Sequence, residues 1–319
     1  MRSASPALSV IRIRHRFDIA SKSFLKRTSM ITANRWRISS AKQFFDGWRQ
    51  IYRFLPRMRP ISMFLGDRVL TTTYHGRKIF LDPRDNDLTP HVLWSGRWEY
   101  PVERLMVRLL RPGQCCLDIG ANIGYHTLVM AYCVGTEGEV HGFEPHPMVA
   151  KLLRATISVN GLADRVKLHE LALTDHDGEV TLLVVPDHLG SGHVSPIGHE
   201  EAYGTGKIAF KVPARRLDDM FGPDAKPIAL IKMDIEGGEA WALRGGAALL
   251  ERSPDVRVIM EWSPPMLSPR ADIAALVDWL EGLGMRFWRV IKGGKLQPLD
   301  RAALLNLPHS DILITRQQP

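Results

Sequence analysis

The stretch Leu117-Asp118-Ile119-Gly120-Ala121-Asn122-Ile123-Gly124-Tyr125-His126-Thr127 constrains the fold more than any other part of the chain. It reads as a buried strand running into a tight turn that opens a helix. Gly120 and Gly124 allow close approach of the backbone to a ligand and φ values closed to most side chains, while the helix start offers unpaired N–H groups. The next apolar run, Val140-His141-Gly142-Phe143, ends in Glu144, twenty residues past Gly124. A carboxylate at that place can accept hydrogen bonds from two ribose hydroxyls.

The spacing is Asp118-x-Gly120-x-Asn122-x-Gly124, which differs from the G-x-G-x-x-G turn that lays a pyrophosphate on a helix N-terminus. An acid two places before the first glycine repels a pyrophosphate. It suits a cofactor with an ammonium group, such as the methionine end of S-adenosylmethionine. The expected cofactor residues are therefore Asp118, Gly120, Asn122, Gly124 and Glu144.

After the Arg111-Pro112-Gly113 stop, strands are predicted at 115–119, 139–144, 166–171, 228–234, 256–262, 286–291 and 311–316. Helices at about 124–133, 146–159, 239–250 and 271–283 separate several of them. This alternation predicts an α/β fold with a doubly wound, mostly parallel sheet. A β-hairpin, Arg68–Tyr74 and Lys78–Leu81 joined through His75-Gly76-Arg77, and a helix from Tyr100 to Leu110 precede it. Between the third and fourth core strands an insertion reads as a strand at Val180–Val185, a loop from Gly190 to Pro196, and a strand at Ile208–Val212. An insertion at that edge is expected to carry substrate contacts or a lid.

Charge divides the chain at about residue 60. Residues 1–60 hold 14 Lys and Arg against 2 Asp, a net +12, so the rest carries −4 of the overall +8. Two domains are expected: a basic extension over 1–60, disordered or amphipathic-helical, and a catalytic domain over 61–319. Apolar residues at 44, 45, 48, 51, 52 and 55 follow helical spacing, so one amphipathic helix is predicted there, suited to an anionic membrane surface or to packing on the catalytic domain. Three cysteines, Cys115, Cys116 and Cys133, give no disulfide framework and point to a reducing compartment. No apolar run approaches the ~18–20 residues that span a bilayer, and the start lacks the apolar core of a secretory signal. A cytoplasmic protein, with membrane-peripheral contact through 1–60, is the expectation.

A second constellation is Ile231-Lys232-Met233-Asp234-Ile235-Glu236-Gly237-Gly238-Glu239, at the end of the fourth core strand. Ligands bind beyond the carboxyl ends of strands in such sheets, where Asp234 and Glu236 fall. Lys232 and Asp234 share a face by strand alternation. The next strand ends in Met260-Glu261-Trp262, so Glu261 should stand beside Asp234. Glu239 suits the first turn of its helix. Asp234 is the first candidate for an acceptor-side base or orienting carboxylate, assisted by Glu236 and Glu261, with His126 and His193 as alternatives. D-x-E-x-x-E is no EF-hand spacing, and no HExxH or paired-cysteine zinc pattern exists. No metal is expected.

In this order the motifs resemble those of the FkbM-type methyltransferases, a family of class I S-adenosylmethionine-dependent enzymes. The matching pieces are Asp118 to Gly124, Phe143-Glu144-Pro145, Asn160, Leu171-Ala172-Leu173 before Asp175 and Gly178, Arg216-Leu217-Asp218-Asp219, Ile231 to Glu239, and Met260-Glu261. The resemblance covers about 76–316, including Asp85 to Trp98, and leaves 1–60 without a function. It implies a Rossmann-like methyltransferase fold and methyl transfer to oxygen, commonly a hydroxyl of a sugar, glycolipid or other secondary metabolite. It adds Ala172 to the cofactor residues.

Two other classes compete. A nicotinamide-dependent dehydrogenase shares Glu144 but wants the missing middle glycine and a proton donor after the fourth strand. A nucleic-acid methyltransferase is suggested by the basic extension, yet the fourth strand lacks the Asn/Asp-Pro-Pro-aromatic motif of amino-directed DNA enzymes. The −4 of residues 61–319 also disfavours a phosphate-tracking surface. Nucleic acid is not the expected partner. The expected partner is a small-molecule or glycan acceptor, and the sequence is silent on oligomeric state.

Overall fold

In the computed structural model, residues 61–185, 188–195 and 206–319 are described. They belong to one compact unit, Ser40–Pro319. The amphipathic helix expected at 44–55 and the basic extension lie outside the described residues.

The described chain opens with β1 (Met63–Phe64), β2 (Val69–Thr72) and β3 (Lys78–Leu81), a three-stranded antiparallel sheet turned at Gly76. Two helices follow, α1 (Leu88–Ser95) and α2 (Tyr100–Leu109). Then come β4 (Cys115–Ile119), α3 (Tyr125–Val134), β5 (Glu139–Phe143), α4 (Pro147–Val159) and β6 (Val166–His169). The insertion supplies β7 (Ala172–Leu173), β8 (Gly178–Val185), β9 (His188–Val194) and β10 (Ile208–Arg215). The second half runs α5 (Leu217–Met220), β11 (Ile228–Met233), α6 (Glu239–Gly245), α7 (Ala247–Glu251), β12 (Arg257–Trp262), α8 (Pro264–Leu267) and α9 (Ile273–Gly282). It closes with β13 (Arg286–Ile291), β14 (Lys295–Leu299), α10 (Arg301–Leu305) and β15 (Ser310–Thr315).

The core sheet has eight strands in the order β14-β13-β15-β12-β11-β4-β5-β6. β6, β5, β4, β11 and β12 are parallel, whereas β15 runs antiparallel between β12 and β13. The strand order reverses between β4 and β11, so the crevice for a ligand opens at their carboxyl ends. Alternation along β4 serves both faces. Cys116 joins the core under α2, α3 and α4, with Leu105, Met130 and Leu153, while Leu117 and Ile119 join the core under α6 and α9, with Leu243 and Leu276. Asp118 follows Cys116 by this period and is turned toward α3.

Three expectations are corrected. The Gly190-to-Pro196 loop is, as far as Val194, strand β9, paired antiparallel with β8 at Leu182↔Val194 and Leu183↔His193. The single helix 239–250 is two, because a Cβ on Gly245 would meet the Thr174 carbonyl oxygen at 2.0 Å and the chain breaks at the Gly245-Gly246 pair that permits this contact. The strand 166–171 stops at His169, and Ala172-Leu173 instead pairs in parallel with β10 in a separate four-stranded sheet, β7-β10-β8-β9. All three cysteines are free and buried. Among the described residues no helix is long and apolar enough to cross a membrane.

Candidate active site

The turn after β4 is fixed by backbone contact. Gly120 has φ +76, and a Cβ there would lie 1.9 Å from the carbonyl oxygen of Asp234, so the turn touches the end of β11 with no room for a side chain. Gly124 serves packing instead: with φ +94, its Cβ would fall 2.5 Å from Leu153 Cδ1 on α4. Between them Asn122 is also left-handed, at φ 49, which asparagine tolerates better than most residues.

Above this turn lies a concave cavity that opens to solvent, the kind of setting in which small molecules bind. Of the sequence-predicted cofactor residues, Gly120, Asn122, Glu144 and Ala172 line it; of the predicted catalytic residues, Asp234 and His126 do. Asp118, Gly124, Glu236, Glu261 and His193 stand outside its wall. His193 alternates along β9 with Gly192 and Val194, which face the cavity.

Glu144 is held from behind. Asn122 N donates to Oε2 at 2.9 Å and His146 N donates to Oε1 at 2.8 Å. Burial pushes its carboxyl up to about 7, against the downward pull of these two N–H groups. Each oxygen keeps a lone pair for a ligand hydroxyl. Asp118 is fully buried on β4, where Thr127 Oγ1 donates to Oδ2 at 2.5 Å and Oδ1 has no partner among the described residues. Burial raises its carboxyl, opposed by the nearby Lys232 ammonium.

The β11 end is far more acidic. Lys232 Nζ donates to Asp234 Oδ2 at 3.1 Å. Burial alone would lower the Lys232 ammonium, but the carboxylates of Asp234, Asp118 and Glu99 raise it and keep it charged. Asp234, Glu236 and Glu261 each bring a carboxylate oxygen within 4.8 Å of the other two. Glu236 sits at φ 57, a left-handed position that turns the chain between β11 and α6. Burial first, and then Asp234, push the Glu236 carboxyl up to about 8 and that of Glu261 to about 9. Glu239 Oε1 accepts from Ile235 N at 3.0 Å, tying down the start of α6, and burial pushes its carboxyl up to about 7. Asp311 faces Glu261 across the β12–β15 register and is raised to about 7 by burial and by Glu99 and Asp234. Such crowding is tolerated by holding protons or a cation.

Sequence reasoning missed several site residues. Glu99, at φ 42 before α2, places Oε2 2.8 Å from His126 Nε2, while His126 Nδ1 is buried without a partner among the described residues. Burial would raise Glu99, yet the hydrogen bond and charge of His126 hold its carboxyl below the usual range. Leu88 and Trp98 from the elements before β4, and Leu182, Gly190 and Val194 from the inserted sheet, complete the wall. No local pattern marks these residues, since the cavity is assembled from segments far apart in the chain.

A sheet in this order, an acid closing its second core strand and a cavity over the first strand's glycine turn define a class I S-adenosylmethionine-dependent methyltransferase. Residues 118–287, more than half of the chain, match the Methyltransferase FkbM domain, and the protein belongs to that family. Comparison with curated proteins finds no match. Similar solved structures include a candidate rRNA methylase of Clostridium thermocellum (13% identity, TM-score 0.41, covering 67% of this chain and 92% of that one). An S-adenosylmethionine-dependent O-methyltransferase of Thermotoga maritima shares 14% identity at TM-score 0.38, over 83% and 88% of the two chains. The O-methyltransferase of Bacillus cereus, in complex with S-adenosylhomocysteine, shares 15% at 0.37, over 68% and 79%.

The protein is therefore a methyltransferase with S-adenosylmethionine as its cofactor. The residues present fit that group: a clamped carboxylate at Glu144 and a glycine-lined turn at Gly120, both on the cavity wall.

Proposed function

We propose that this enzyme methylates a hydroxyl oxygen of a small-molecule or glycan acceptor, of the kind carried by sugars, glycolipids and other secondary metabolites. The observation that carries this reading is a single cavity with the clamped Glu144 at one end and the Lys232–Asp234 pair at the other. When bound, S-adenosylmethionine supplies a methyl group on a sulfonium, which an acceptor oxygen takes as the carbon–sulfur bond breaks and S-adenosylhomocysteine leaves.

Glu144 holds the ribose, Gly120, Asn122 and Ala172 shape the surrounding wall, and Asp118, buried behind that wall, ties the turn to α3 through Thr127. An alcohol attacks well only as its proton leaves, so the acceptor side needs a base. Asp234 fills that role, with Lys232 fixing its carboxylate and Glu236 and Glu261 supporting it. The acids around Asp234 repel a phosphate backbone, which favours a neutral acceptor over nucleic acid. Residues 61–319 form the catalytic domain in this reading, and the enzyme works in the cytoplasm.

Release of S-adenosylhomocysteine, measured with the full chain against a panel of sugar, glycolipid and polyketide-type alcohols, tests the proposal. Turnover on at least one alcohol is expected. Turnover confined to an RNA oligonucleotide, or to amines, would overturn it.

A further inference from the structure

Cys115 opens β4 and Glu139 opens β5, and the parallel register sets the two opposite one another. By strand alternation His141 turns to the same face as Glu139, and so, on β6, does His169, which stands opposite Phe143. One ligand atom from each of Cys115, Glu139 and His141 lies within 4.8 Å of the other two. No window of sequence contains this set, so the spacing along the chain predicts no metal there. The three residues stand toward the amino ends of their strands, whereas the cavity opens at the carboxyl ends, and they take no part in the site described above.

A thiolate, an imidazole and a carboxylate are donors that zinc takes, at about 2.0–2.3 Å each. We propose that Cys115, Glu139 and His141 bind a zinc ion that staples β4 to β5, with water in the fourth position. The surroundings suit such a site. His141 Nε2 lies 3.0 Å from Glu139 Oε1, and its Nδ1 lies 2.9 Å from His169 Nε2, so the imidazole is held through the nitrogen that would face away from the ion. Phe143 stacks on His169 and Phe221 packs edge-on against His141, with ring centroids 4.7 and 4.8 Å apart, which walls that side with apolar rings. Cys115 and His141 are buried, while the Glu139 side chain keeps 22% of its surface and gives the ion a way in. Without the ion, Lys167 Nζ donates to Glu139 Oε1. Binding replaces that contact and releases the Cys115 thiol proton to solvent, after which the thiolate and the carboxylate balance the two positive charges of the ion. This site does not depend on the methyl-transfer reading.

The test is titration of the chelator-treated full chain with Co²⁺ and then Zn²⁺, followed by absorption and by melting temperature. One equivalent of Co²⁺ should give sulfur-to-cobalt charge-transfer absorption, Zn²⁺ should displace it, and zinc should raise the melting temperature. C115S should lose both signals, and C133A should keep them. E139Q, altered at the most exposed of the three ligands, should fold and bind zinc about tenfold or more weakly, measured by competition with a chromophoric chelator; H141N should do the same. Absence of both signals in the folded full chain would leave the three side chains as a hydrogen-bonded network at the edge of the sheet and overturn the proposal. A charge-transfer band that persists in C115S, or zinc affinity equal in the full chain and in E139Q and H141N, would place the metal on other residues and likewise overturn it. Should C115S fail to fold, E139Q and H141N decide the matter alone.

Discussion

The two ends of the cavity solve the problem of buried charge in opposite ways. At the β4–β5 end, both oxygens of Glu144 accept backbone N–H groups and one oxygen of Asp118 accepts a hydroxyl. The donors there come from the turn at Asn122, from His146 just past β5 and from Thr127 on α3, so the elements that shape the site also hold its carboxyls. At the β11–β12 end, Asp234, Glu236 and Glu261 crowd one another, the Lys232 ammonium is bonded to Asp234 alone, His309 Nε2 lies 3.4 Å from Glu261 Oε1, and Glu261 Oε2 and Glu239 Oε2 have no partner among the described residues. Backbone donors cannot titrate, whereas neighbouring carboxyls can. The first end holds each carboxyl in place with fixed donors, and the second leaves neighbouring carboxyls to set one another's charge state.

The largest effect should come from breaking the acidic end at its centre. Asp234→Asn keeps the shape and an oxygen for Lys232 but removes basicity, so turnover should fall by ~10²–10⁴-fold with cofactor affinity nearly unchanged. Calorimetry for S-adenosylmethionine and steady-state release of S-adenosylhomocysteine separate the two. Full turnover in Asp234→Asn would dismiss it as the base; lost cofactor binding in a folded variant would move Asp234 to the other end of the comparison.

The complementary change at the clamped end is smaller and of the other kind. Glu144→Ala removes charge-assisted hydrogen bonds worth ~1.5–3 kcal/mol, which corresponds to a ~10–150-fold loss of S-adenosylmethionine affinity. Turnover at saturating cofactor should suffer less. Unaltered affinity in a well-folded Glu144→Ala would detach Glu144 from the cofactor.

The same contrast explains what the sequence made legible. The Gly120 turn, Glu144 at the end of β5 and the Lys232–Asp234 pair on one face of β11 follow from local spacing. The core strands do too, because each is a short apolar run bounded by stops. Glu99 beside His126, and Asp311 opposite Glu261, arise from contacts between distant segments that no window of sequence contains. Gly190 and Gly192 depress strand propensity and so predict a loop where β9 stands; its pairing with β8 overrides that. Asp118 and Gly124 belong to the turn's motif, yet one is turned under α3 and the other packs on α4, a distinction that only side-chain direction makes.

The smallest effect is on stability, and its sign follows from the acidic end. A carboxyl whose folded value is raised binds its proton more tightly in the folded state. Its stabilisation is complete below the unfolded value and is lost as pH rises through the folded one. Glu144, Glu239 and Asp311, raised to about 7, Glu236 to about 8 and Glu261 to about 9 all push this way. His141 and His146, lowered by burial, and His169, lowered to about 4, push the other way, but their gain is complete once pH passes the ordinary histidine value of about 6.5. Above about pH 7 the contributions of Glu144, Glu239 and Asp311 are already lost and only Glu236 and Glu261 still bind their protons more tightly in the folded state, so stability should go on falling from about pH 7 to about pH 9 by an amount on the order of a few kcal/mol. Glu261→Gln, which cannot ionise, should flatten the upper part of that decline. Melting temperatures of the cofactor-free protein across this window provide the check, and a flat or rising profile, or one that Glu261→Gln leaves unchanged, would mean that the acidic end does not hold its protons.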